Sequence, residues 1–320
     1  MKGAGTFPGK GAPGSFEMRI GLIDVDGHNF PNLPLMKLSA WHKQQGDIVE
    51  WYEPLTAWKK PPDRVYMSKV FTFTSDYPHP VNAKEIIYGG TGYFYPDGGE
   101  NLPEEVEHIY PDYDLYPQFC ADTAYGFLTR GCPRGCDFCI VGKKEGKCSV
   151  KVADVSEFWR GQKNIVLLDP NMFACTDWKA LSQQLIDSRA WVDFSQGCDI
   201  RIMTEEKAEY LKRMKIKRVH FAWDKYEDRD MIVPKFKAFK EITGWDVRKT
   251  VVYVLVGFNT TLEQDLERIY TIRDLGYWPF VMIYEKEKLP PRHILKQLQR
   301  WVNMRAVFQT VAKFEDYLNK

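Results

Sequence analysis

A repeated alternation of strand-like and helix-like segments between residues 119 and 288 constrains the fold more than any other feature of this 320-residue chain. The helix-like segments, such as 204–215 and 261–276, carry apolar residues at helical spacing. Parallel strands require crossover connections, and right-handed crossovers wind successive strands into one curved sheet. The alternation therefore predicts an α/β fold with a partial (βα)6, TIM-like barrel. The six predicted strands are AYGFLT (124–129), NIVLLD (164–169), WVDFSQ (191–196), RVHFAWD (218–224), KTVVYVLVGF (249–258) and PFVMIY (279–284).

The ends of these segments add detail to the prediction. Thr204 and Thr261 each open a helix-like segment, and Gln264 follows Thr261 at the spacing of a capping box. Residues 289–320 predict a C-terminal helical cap, with one helix over about 291–318 that closes one end of the barrel. The helix is most simply an amphipathic cap, and contact with RNA is a minor alternative for its basic side.

The region before the barrel predicts a smaller, Rossmann-like α/β domain over residues 17–118. Apolar runs are separated there by Pro- and Gly-rich segments and by one helical pattern at 34–46, with a shortened second crossover. Residues 1–16 are rich in Gly and Pro without periodicity, so we expect a flexible tail. The predicted strands of this domain lie at 18–25, 47–52, 64–73 and 85–90.

Charge and hydropathy restrict the class of partner. The 44 Lys and Arg residues nearly balance the 43 Asp and Glu residues, so the whole chain has no strong attraction for nucleic acid or for a membrane surface. No apolar run reaches the roughly 18 residues of a spanning helix, and the N-terminus lacks a secretory pattern. We therefore expect a cytoplasmic protein with a small-molecule partner, without a membrane and without nucleic acid.

Three of the 7 cysteines lie within eight positions. Cys132, Cys136 and Cys139 form a C-x3-C-x2-C pattern directly after the first predicted barrel strand, where active-site loops of such folds lie. Three thiolates can bind three irons of an iron–sulfur cube and leave the fourth iron to a chelating ligand. The alternative is zinc, which requires four ligands and would have to recruit Cys148 alone. The remaining cysteines, Cys120, Cys148, Cys175 and Cys198, are scattered, as expected in a reducing compartment.

The three-cysteine pattern, with the aromatic Phe138 directly before Cys139, resembles the signature of the radical S-adenosylmethionine superfamily. The resemblance extends over about 119–288 and implies a partial (βα)6 barrel with the cluster loop after its first strand. It also implies a 4Fe–4S cluster that binds S-adenosylmethionine and, on one-electron reduction, yields a 5′-deoxyadenosyl radical. A reductant protein such as flavodoxin or ferredoxin is the implied electron donor.

Further cofactor positions follow from this resemblance where the chain offers a counterpart. At the end of the second barrel strand the family commonly has a Gly-Gly-Glu-like turn that accepts hydrogen bonds from the methionine ammonium. This chain has Asp169 and Asn171 there as candidate acceptors, and a plain Asx turn is the alternative. Gly257 matches the place where backbone lies against adenine, and ordinary strand-end chemistry is its alternative. Gln196, Asp199 and Arg201 are candidates for ribose hydroxyls or a carboxylate, and Asp199 and Arg201 alternatively form a structural salt bridge.

Cys198 lies on the same predicted rim and is the candidate catalytic residue, as a thiyl-radical or hydrogen-donor group. A lone cysteine is more often a small buried apolar residue, so this alternative stays open.

The N-terminal domain resembles the cobalamin-binding domains that precede many radical enzymes of this class. Asp26-x-His28-x-x-Pro31 is similar to the D-x-H-x-x-G motif, with proline in place of glycine, and IIYGGTG (86–92) is similar to their Gly-Gly turn. The short domain and its missing crossover instead favour a degenerate domain that shapes a substrate pocket. His28 as a turn or core histidine is a further alternative.

Polar and aromatic residues at predicted strand ends are the candidate substrate contacts. An aromatic ring beside a carboxylate suits a planar nitrogenous ring, which indicates a nucleobase-like substrate of the 7-deazaguanine type for a lyase or isomerase. The competing hypotheses are a cobalamin-dependent radical methyltransferase and a non-catalytic zinc-binding module. The candidates are Asp24, Asp26, His28, Asn29, Trp223, Asp224, Tyr284 and Glu285.

Overall fold

The computed structural model describes residues 17–27 and 29–319. They form two compact units that alternate along the chain. The predicted domain limits at 118 and 288 stay predictions, and the tail predicted over 1–16 lies outside the described residues. The first unit contains residues 17–27, 29–126, 131–147 and 153–165, and the second contains residues 127–130, 148–152 and 166–319.

The first unit is built on a four-stranded parallel sheet. Its strands are β1 (Arg19–Asp24), β2 (Ile48–Trp51), β3 (Arg64–Ser68) and β4 (Glu85–Gly89). They lie in the order β2-β1-β3-β4, which is part of a doubly wound arrangement. The unit also contains α1 (Leu33–Gln44), α2 (Pro54–Lys59), α3 (Glu104–Glu107), α4 (Pro117–Cys120), β5 (Thr123–Gly126) and α5 (Val141–Lys144).

Helix α1 packs its apolar side on this sheet. Asn32 caps the helix, because its side chain accepts the N–H of Leu35 at 3.3 Å, and proline stands in the first turn where no N–H is needed. Leu35 and Leu38 are buried against Ile20 and Leu22 of β1. Burying a side chain of this size contributes roughly 2 kcal/mol, so this contact fixes the helix on the sheet.

Strand β3 ends at Ser68, five residues before the end predicted from its apolar run. The carboxylate of Asp26 explains the difference, since it accepts the N–H of Val70 at 2.5 Å and the Oγ1–H of Thr74 at 2.6 Å. The backbone that would continue the strand is therefore bound by a side chain instead of by a neighbouring strand.

The second unit contains the longer series of strands and helices. Its strands are β6 (Thr129–Arg130), β7 (Val150–Lys151), β8 (Asn164–Leu167), β9 (Trp191–Phe194), β10 (Lys215–Ala222), β11 (Thr250–Val256) and β12 (Trp278–Ile283). Its helices are α6 (Trp178–Ser188), α7 (Glu205–Arg213), α8 (Arg229–Thr243), α9 (Leu262–Asp274), α10 (Ile294–Asn303), α11 (Arg305–Thr310) and α12 (Phe314–Leu318).

The main sheet of this unit has the order β12-β11-β10-β9-β8. The pairs β9–β10, β10–β11 and β11–β12 are parallel. Strand β8 belongs to both units, since the division lies between Ile165 and Val166. In the first unit, Asn164 donates its N–H to the carbonyl of Asp122, directly before β5, at 2.9 Å.

Both predicted N-caps are confirmed. Thr204 accepts the N–H of Lys207, and Thr261 forms the complete capping box with Gln264. The single C-terminal helix predicted over 291–318 is wrong, because backbone at Met304 and Val311 is extended and divides the segment into α10, α11 and α12.

Asn303 of α10 has a separate function at the edge of the sheet. Its side chain accepts the N–H of Val281 at 2.8 Å and donates to the carbonyl of Val281 at 3.0 Å. The free edge of β12 is thereby protected from pairing with another strand.

The mixed α/β class with parallel sheets is confirmed. The curvature of the second sheet into a partial (βα)6 barrel stays a prediction. Across the described residues, no helix combines the length and the apolar character required to cross a membrane.

Candidate functional site

The cysteine loop is part of the first unit. Cys132 and Cys136 are half-buried and Cys139 is exposed, and all seven cysteines of the chain are thiols rather than disulfides. The N–H of Cys132 donates to the carbonyl of Gly146 at 3.1 Å, and the N–H of Cys139 donates to the carbonyl of Cys136 at 3.0 Å. These bonds give the loop a defined backbone although it has little regular structure.

Gly135 makes the turn between the first two cysteines. Its φ of +58° is in the left-handed region, which glycine adopts without steric cost, and nothing lies within 4 Å of the position that a Cβ would take. Glycine is therefore favoured at this position by its backbone conformation and not by a lack of space for a side chain.

The donor set of this loop is of the kind that iron–sulfur clusters use. Three thiols within eight residues are the usual ligands of such clusters, and each thiolate binds a different iron. Within the described part of the chain, no three His, Cys, Asp or Glu side chains are grouped so that they could hold a single metal ion. Phe138, predicted to contact the cofactor, is half-buried in the same loop.

Asp169 is in the second unit, two residues beyond the end of β8. It is 4% exposed, and its carboxylate accepts the N–H of Leu128 at 3.1 Å, the N–H of Thr129 at 2.6 Å and the Oγ1–H of Thr129 at 2.7 Å. Burial raises the pKa of Asp169 to about 6, against the opposing effect of these hydrogen bonds. Asp169 therefore fixes the backbone of 128–129, the segment that enters the cysteine loop three residues later.

The remaining predicted cofactor contacts of the second unit have unlike environments. Asn171 is buried, and its backbone carbonyl accepts the Oγ–H of Ser149 at 2.9 Å. Gln196 is exposed. Gly257 is exposed and has a φ of +77°, and a Cβ there would approach Cδ1 of Leu295 to 2.8 Å. Its backbone conformation alone is a reason for glycine.

Asp199 and Arg201 bind each other. Nε and one terminal nitrogen of Arg201 donate to the two carboxylate oxygens of Asp199, both at 2.9 Å. Asp199 is also the cap of a short 3-10 helix, since it accepts the N–H of Arg201 at 3.1 Å. The geometry is that of the structural salt bridge considered from the sequence.

Cys198 is 5% exposed and lies four residues beyond the end of β9. Its N–H donates to the carbonyl of His220 at 2.6 Å. Burial, with added repulsion from the carboxylates of Asp169 and Asp199, raises the pKa of the Cys198 thiol far above its ordinary value. The thiol therefore stays protonated at neutral pH.

The predicted aromatic contact Trp223 is a core side chain. It is 1% exposed, and its indole N–H donates to the carbonyl of Lys225 at 2.8 Å, so its ring is not available for stacking in this structure. Arg268 holds the backbone that follows β10, since it donates to the carbonyls of Trp223 and Asp224 at 2.6 and 2.9 Å. Asp224 itself is 9% exposed.

Tyr284 and Glu285 follow β12. The ring of Tyr284 lies edge-on against Phe258 at 4.9 Å, and Glu285 accepts a hydrogen bond from Lys288 at 2.6 Å. Glu285 has a φ of +46°, which places it at a tight turn on the surface.

The predicted substrate contacts of the first unit lie at the C-terminal end of β1. Asp24 is buried and accepts the hydroxyl of Tyr116 at 2.8 Å, and Asp26 holds the backbone of residues 70 and 71. Asn29 is exposed, and His28 lies outside the described residues. Both carboxylates therefore have structural partners within the first unit.

The Gly-Gly turn that resembles a cobalamin motif has a local explanation. A Cβ at Gly90 would lie 2.3 Å from the carbonyl oxygen of Lys69, and a Cβ at Gly92 would lie 2.4 Å from the Lys69 side chain. These glycines allow the turn to pass directly over Lys69.

One group of the second unit is absent from the sequence prediction. His220, Tyr253 and Asp193 come from adjacent strands, and the rings of His220 and Tyr253 are stacked at 5.0 Å with an angle of 10°. His220 is 6% exposed, and its Nδ1 is 3.6 Å from a carboxylate oxygen of Asp193. The available signal was a histidine within the apolar strand RVHFAWD, which only the strand register connects to the other two residues.

No known family model matches the chain, and no curated protein matches it. Among solved structures it is similar to SuiB of Streptococcus suis bound to S-adenosylmethionine, with a TM-score of 0.41 and 12% identity over 66% of this chain and 51% of that chain. The structure of SuiB bound to precursor peptide SuiA has a TM-score of 0.41 and 11% identity, over 67% of this chain and 53% of that chain. A further SuiB structure has a TM-score of 0.43 and 12% identity, over 69% of this chain and 55% of that chain. The chain spans about half the length of these structures.

Proposed function

We propose that the protein is a radical S-adenosylmethionine enzyme in which Cys132, Cys136 and Cys139 hold a 4Fe–4S cluster. The observation that carries the proposal is the C-x3-C-x2-C set of three thiols on one short loop, half-buried or exposed and turned at Gly135. The accessibility of these thiols allows a cluster and a ligand to reach them. When bound, the cluster supplies the electron that cleaves S-adenosylmethionine to the 5′-deoxyadenosyl radical.

The protein's own residues position and shield the reaction. Asp169 holds the backbone N–H groups of Leu128 and Thr129, and so orders the chain that leads to Cys132. Antiparallel pairing of Thr129 with Lys151 and of Arg130 with Val150 joins the segments that precede and follow the loop.

We further propose a lyase or isomerase reaction on a small, nucleobase-like substrate, with electrons from a protein such as flavodoxin or ferredoxin in the cytoplasm. The protein contributes buried hydrogen-bonding groups and aromatic rings, which suit a planar polar molecule. Cobalamin is not part of this proposal, and Gly90 and Gly92 have a structural reason of their own in their packing on Lys69.

The test is S-adenosylmethionine cleavage by anaerobically reconstituted protein reduced with dithionite. We expect 5′-deoxyadenosine as a product of the wild type and its loss in Cys136→Ala. Cys148→Ala is the matched control, because Cys148 is an exposed thiol outside the loop, and it should retain the activity. Absence of 5′-deoxyadenosine from iron-loaded wild type contradicts the proposal, and equal loss in both variants would contradict the assignment of the cluster to the three loop cysteines alone.

A further inference from the structure

The main sheet of the second unit has two unlike faces. Residues that are partners in a parallel register share a face, which places Ala222, Tyr253 and Phe280 together, with Leu255 and Met282 beside them. The opposite face is covered by α8, since the ring of Phe221 contacts Phe236 and Phe239. We call the first of these the open face, and it is defined by Asp193, His220, Tyr253, Phe280 and Met282.

The open face presents apolar side chains that are not covered. Phe280 and Met282 are 38% and 47% exposed, although both lie within β12. The ring of Tyr253 is edge-on to Phe280 at 5.7 Å. An aromatic ring and a thioether exposed on the edge strand of a sheet form a surface on which a flat ligand can pack.

His220 adds a hydrogen-bond acceptor beside this surface. Its Nδ1–H donates to the carbonyl of Phe194 at 2.8 Å, which fixes the tautomer in the neutral ring. Nε2, the nitrogen farther from the backbone, is then an acceptor, and it has no hydrogen-bond partner in the described part of the chain. Burial lowers the pKa of His220, so the ring is neutral near pH 7.

Asp193 adds a second acceptor on the same face. Asp193 is the register partner of Arg218. Arg218 and His220 are two residues apart in β10 and therefore share a face, so Asp193 lies on that face too. Its Oδ1 is buried, without a hydrogen-bond partner among the described residues, and 3.6 Å from Nδ1 of His220. Burial raises the pKa of Asp193. The nearby basic groups of His220, Arg218 and Lys217 act in the opposite direction and lower this pKa.

A buried acceptor without a donor costs about 1–3 kcal/mol, and Oδ1 of Asp193 is such an acceptor. A ligand that donates N–H groups would remove this cost and would also cover the exposed ring of Phe280. The chemistry therefore favours a planar molecule with N–H donors.

We propose that Asp193, His220, Tyr253 and Phe280 form a binding site for a planar nitrogen heterocycle, which donates an N–H to Nε2 of His220 and packs its ring against Phe280. The inference rests on the proposed function and names the substrate class of the enzyme. It moves the recognition of a nucleobase-like ring from the buried Trp223 to a group of residues that includes the exposed ring of Phe280.

Calorimetric titration of the full-length protein with two purines tests the site. Hypoxanthine carries N–H donors, whereas 1,7-dimethylhypoxanthine has the same ring system with every N–H replaced by N–CH3. We expect hypoxanthine to bind at least about tenfold more tightly, since one hydrogen bond of about 1.4 kcal/mol gives that ratio. Equal binding of the two purines, or no binding of hypoxanthine, overturns the proposal.

Variants and a spectroscopic measurement assign the effect to His220. His220→Phe and Phe280→Ala should each weaken hypoxanthine binding about tenfold or more, whereas His108→Asn, at an exposed histidine, should not change it. In wild type with 15N-labelled histidine, hypoxanthine should shift the Nε2 resonance of His220. This measurement uses the wild-type protein, so it does not require any variant to fold. An unchanged resonance in the presence of bound hypoxanthine overturns the proposal.

The binding test separates this site from the proposed function, because it uses no iron and no reductant. Cys136→Ala should bind hypoxanthine like the wild type. Normal binding with no 5′-deoxyadenosine would sink the radical function alone, and 5′-deoxyadenosine formation without hypoxanthine binding would sink the site alone.

Discussion

The carboxylate of Asp169 accepts the backbone N–H of Thr129 at 2.6 Å, in a position that is 4% exposed. Strand β5 ends at Gly126 and not at residue 129, and Thr129 belongs to β6, which pairs with β7. Thr129 lies three residues before Cys132 in the chain. A buried acidic side chain thus holds the backbone directly before the cysteine loop.

The first prediction concerns the pH dependence that Asp169 gives to stability. Its pKa is about 6 in the folded protein and 3.8 when unperturbed, so between these values the folded state binds more protons than the unfolded state. The free energy of unfolding, relative to that of Asp169→Asn, should therefore fall by up to about 3 kcal/mol from pH 4 to pH 7. Urea denaturation of both proteins across this range measures it, and a relative stability that rises with pH would show that the hydrogen bonds outweigh burial.

The second prediction concerns cysteine reactivity. Burial raises the pKa of the Cys198 thiol far above its ordinary value and that of Cys120 to about 12, so neither forms the nucleophilic thiolate. Iodoacetamide at pH 8 should label the exposed Cys148 and leave Cys198 and Cys120 unlabelled in the folded protein, as read by mass spectrometry of peptides. Protein in urea should be labelled at all three. Rapid labelling of Cys198 in the folded state would contradict the burial that we describe.

The third prediction concerns the buried ion pair of α9. Arg268 and Asp265 are 0% and 1% exposed, and Arg268 also binds the carbonyl of Leu255. Arg268→Met leaves the Asp265 charge buried without its partner and should lower the free energy of unfolding by about 3–5 kcal/mol.

The matched control is Lys288→Ala, which breaks the exposed pair with Glu285. That change should cost less than about 1 kcal/mol. Thermal and urea denaturation measure both variants, and similar losses in the two would contradict a special contribution from the buried pair.

The fourth prediction concerns Gly257. Its left-handed backbone disfavours any Cβ, and the Cβ of alanine would also approach Leu295. Gly257→Ala should therefore lower stability by about 1–2 kcal/mol. Gly89→Ala is the control, because Gly89 has no left-handed backbone and open space around its Cβ position, and its stability should change by less than about 0.5 kcal/mol. A neutral result for Gly257→Ala would leave contact with a cofactor as the reason for glycine.

Much of the fold follows from local patterns in the sequence. The runs that became β9, β11 and β12 alternate or concentrate apolar residues, and Thr261 with Gln264 marks the start of α9, so short-range rules are sufficient there. The ends of β3 and β5 were predicted too far along the chain. Their apolar residues continue, and distant carboxylates, those of Asp26 and Asp169, bind the next backbone N–H groups.

The candidate site was predictable in part for the same reason. Cys132, Cys136 and Cys139 are close in sequence, so their spacing carries the information. The group of Asp193, His220 and Tyr253 depends on the register of three strands separated by helices, which no local pattern encodes. Trp223 was assigned to substrate by residue type, and only its tertiary packing reveals that it is a core residue.

The most direct test of the central claim is the iron content of anaerobically reconstituted protein, together with its electron paramagnetic resonance spectrum after reduction. We predict about four irons per chain and a reduced 4Fe–4S signal in the wild type and in Cys148→Ala, and the loss of both in Cys136→Ala. Colourless wild-type protein that holds one zinc and no iron would contradict the account.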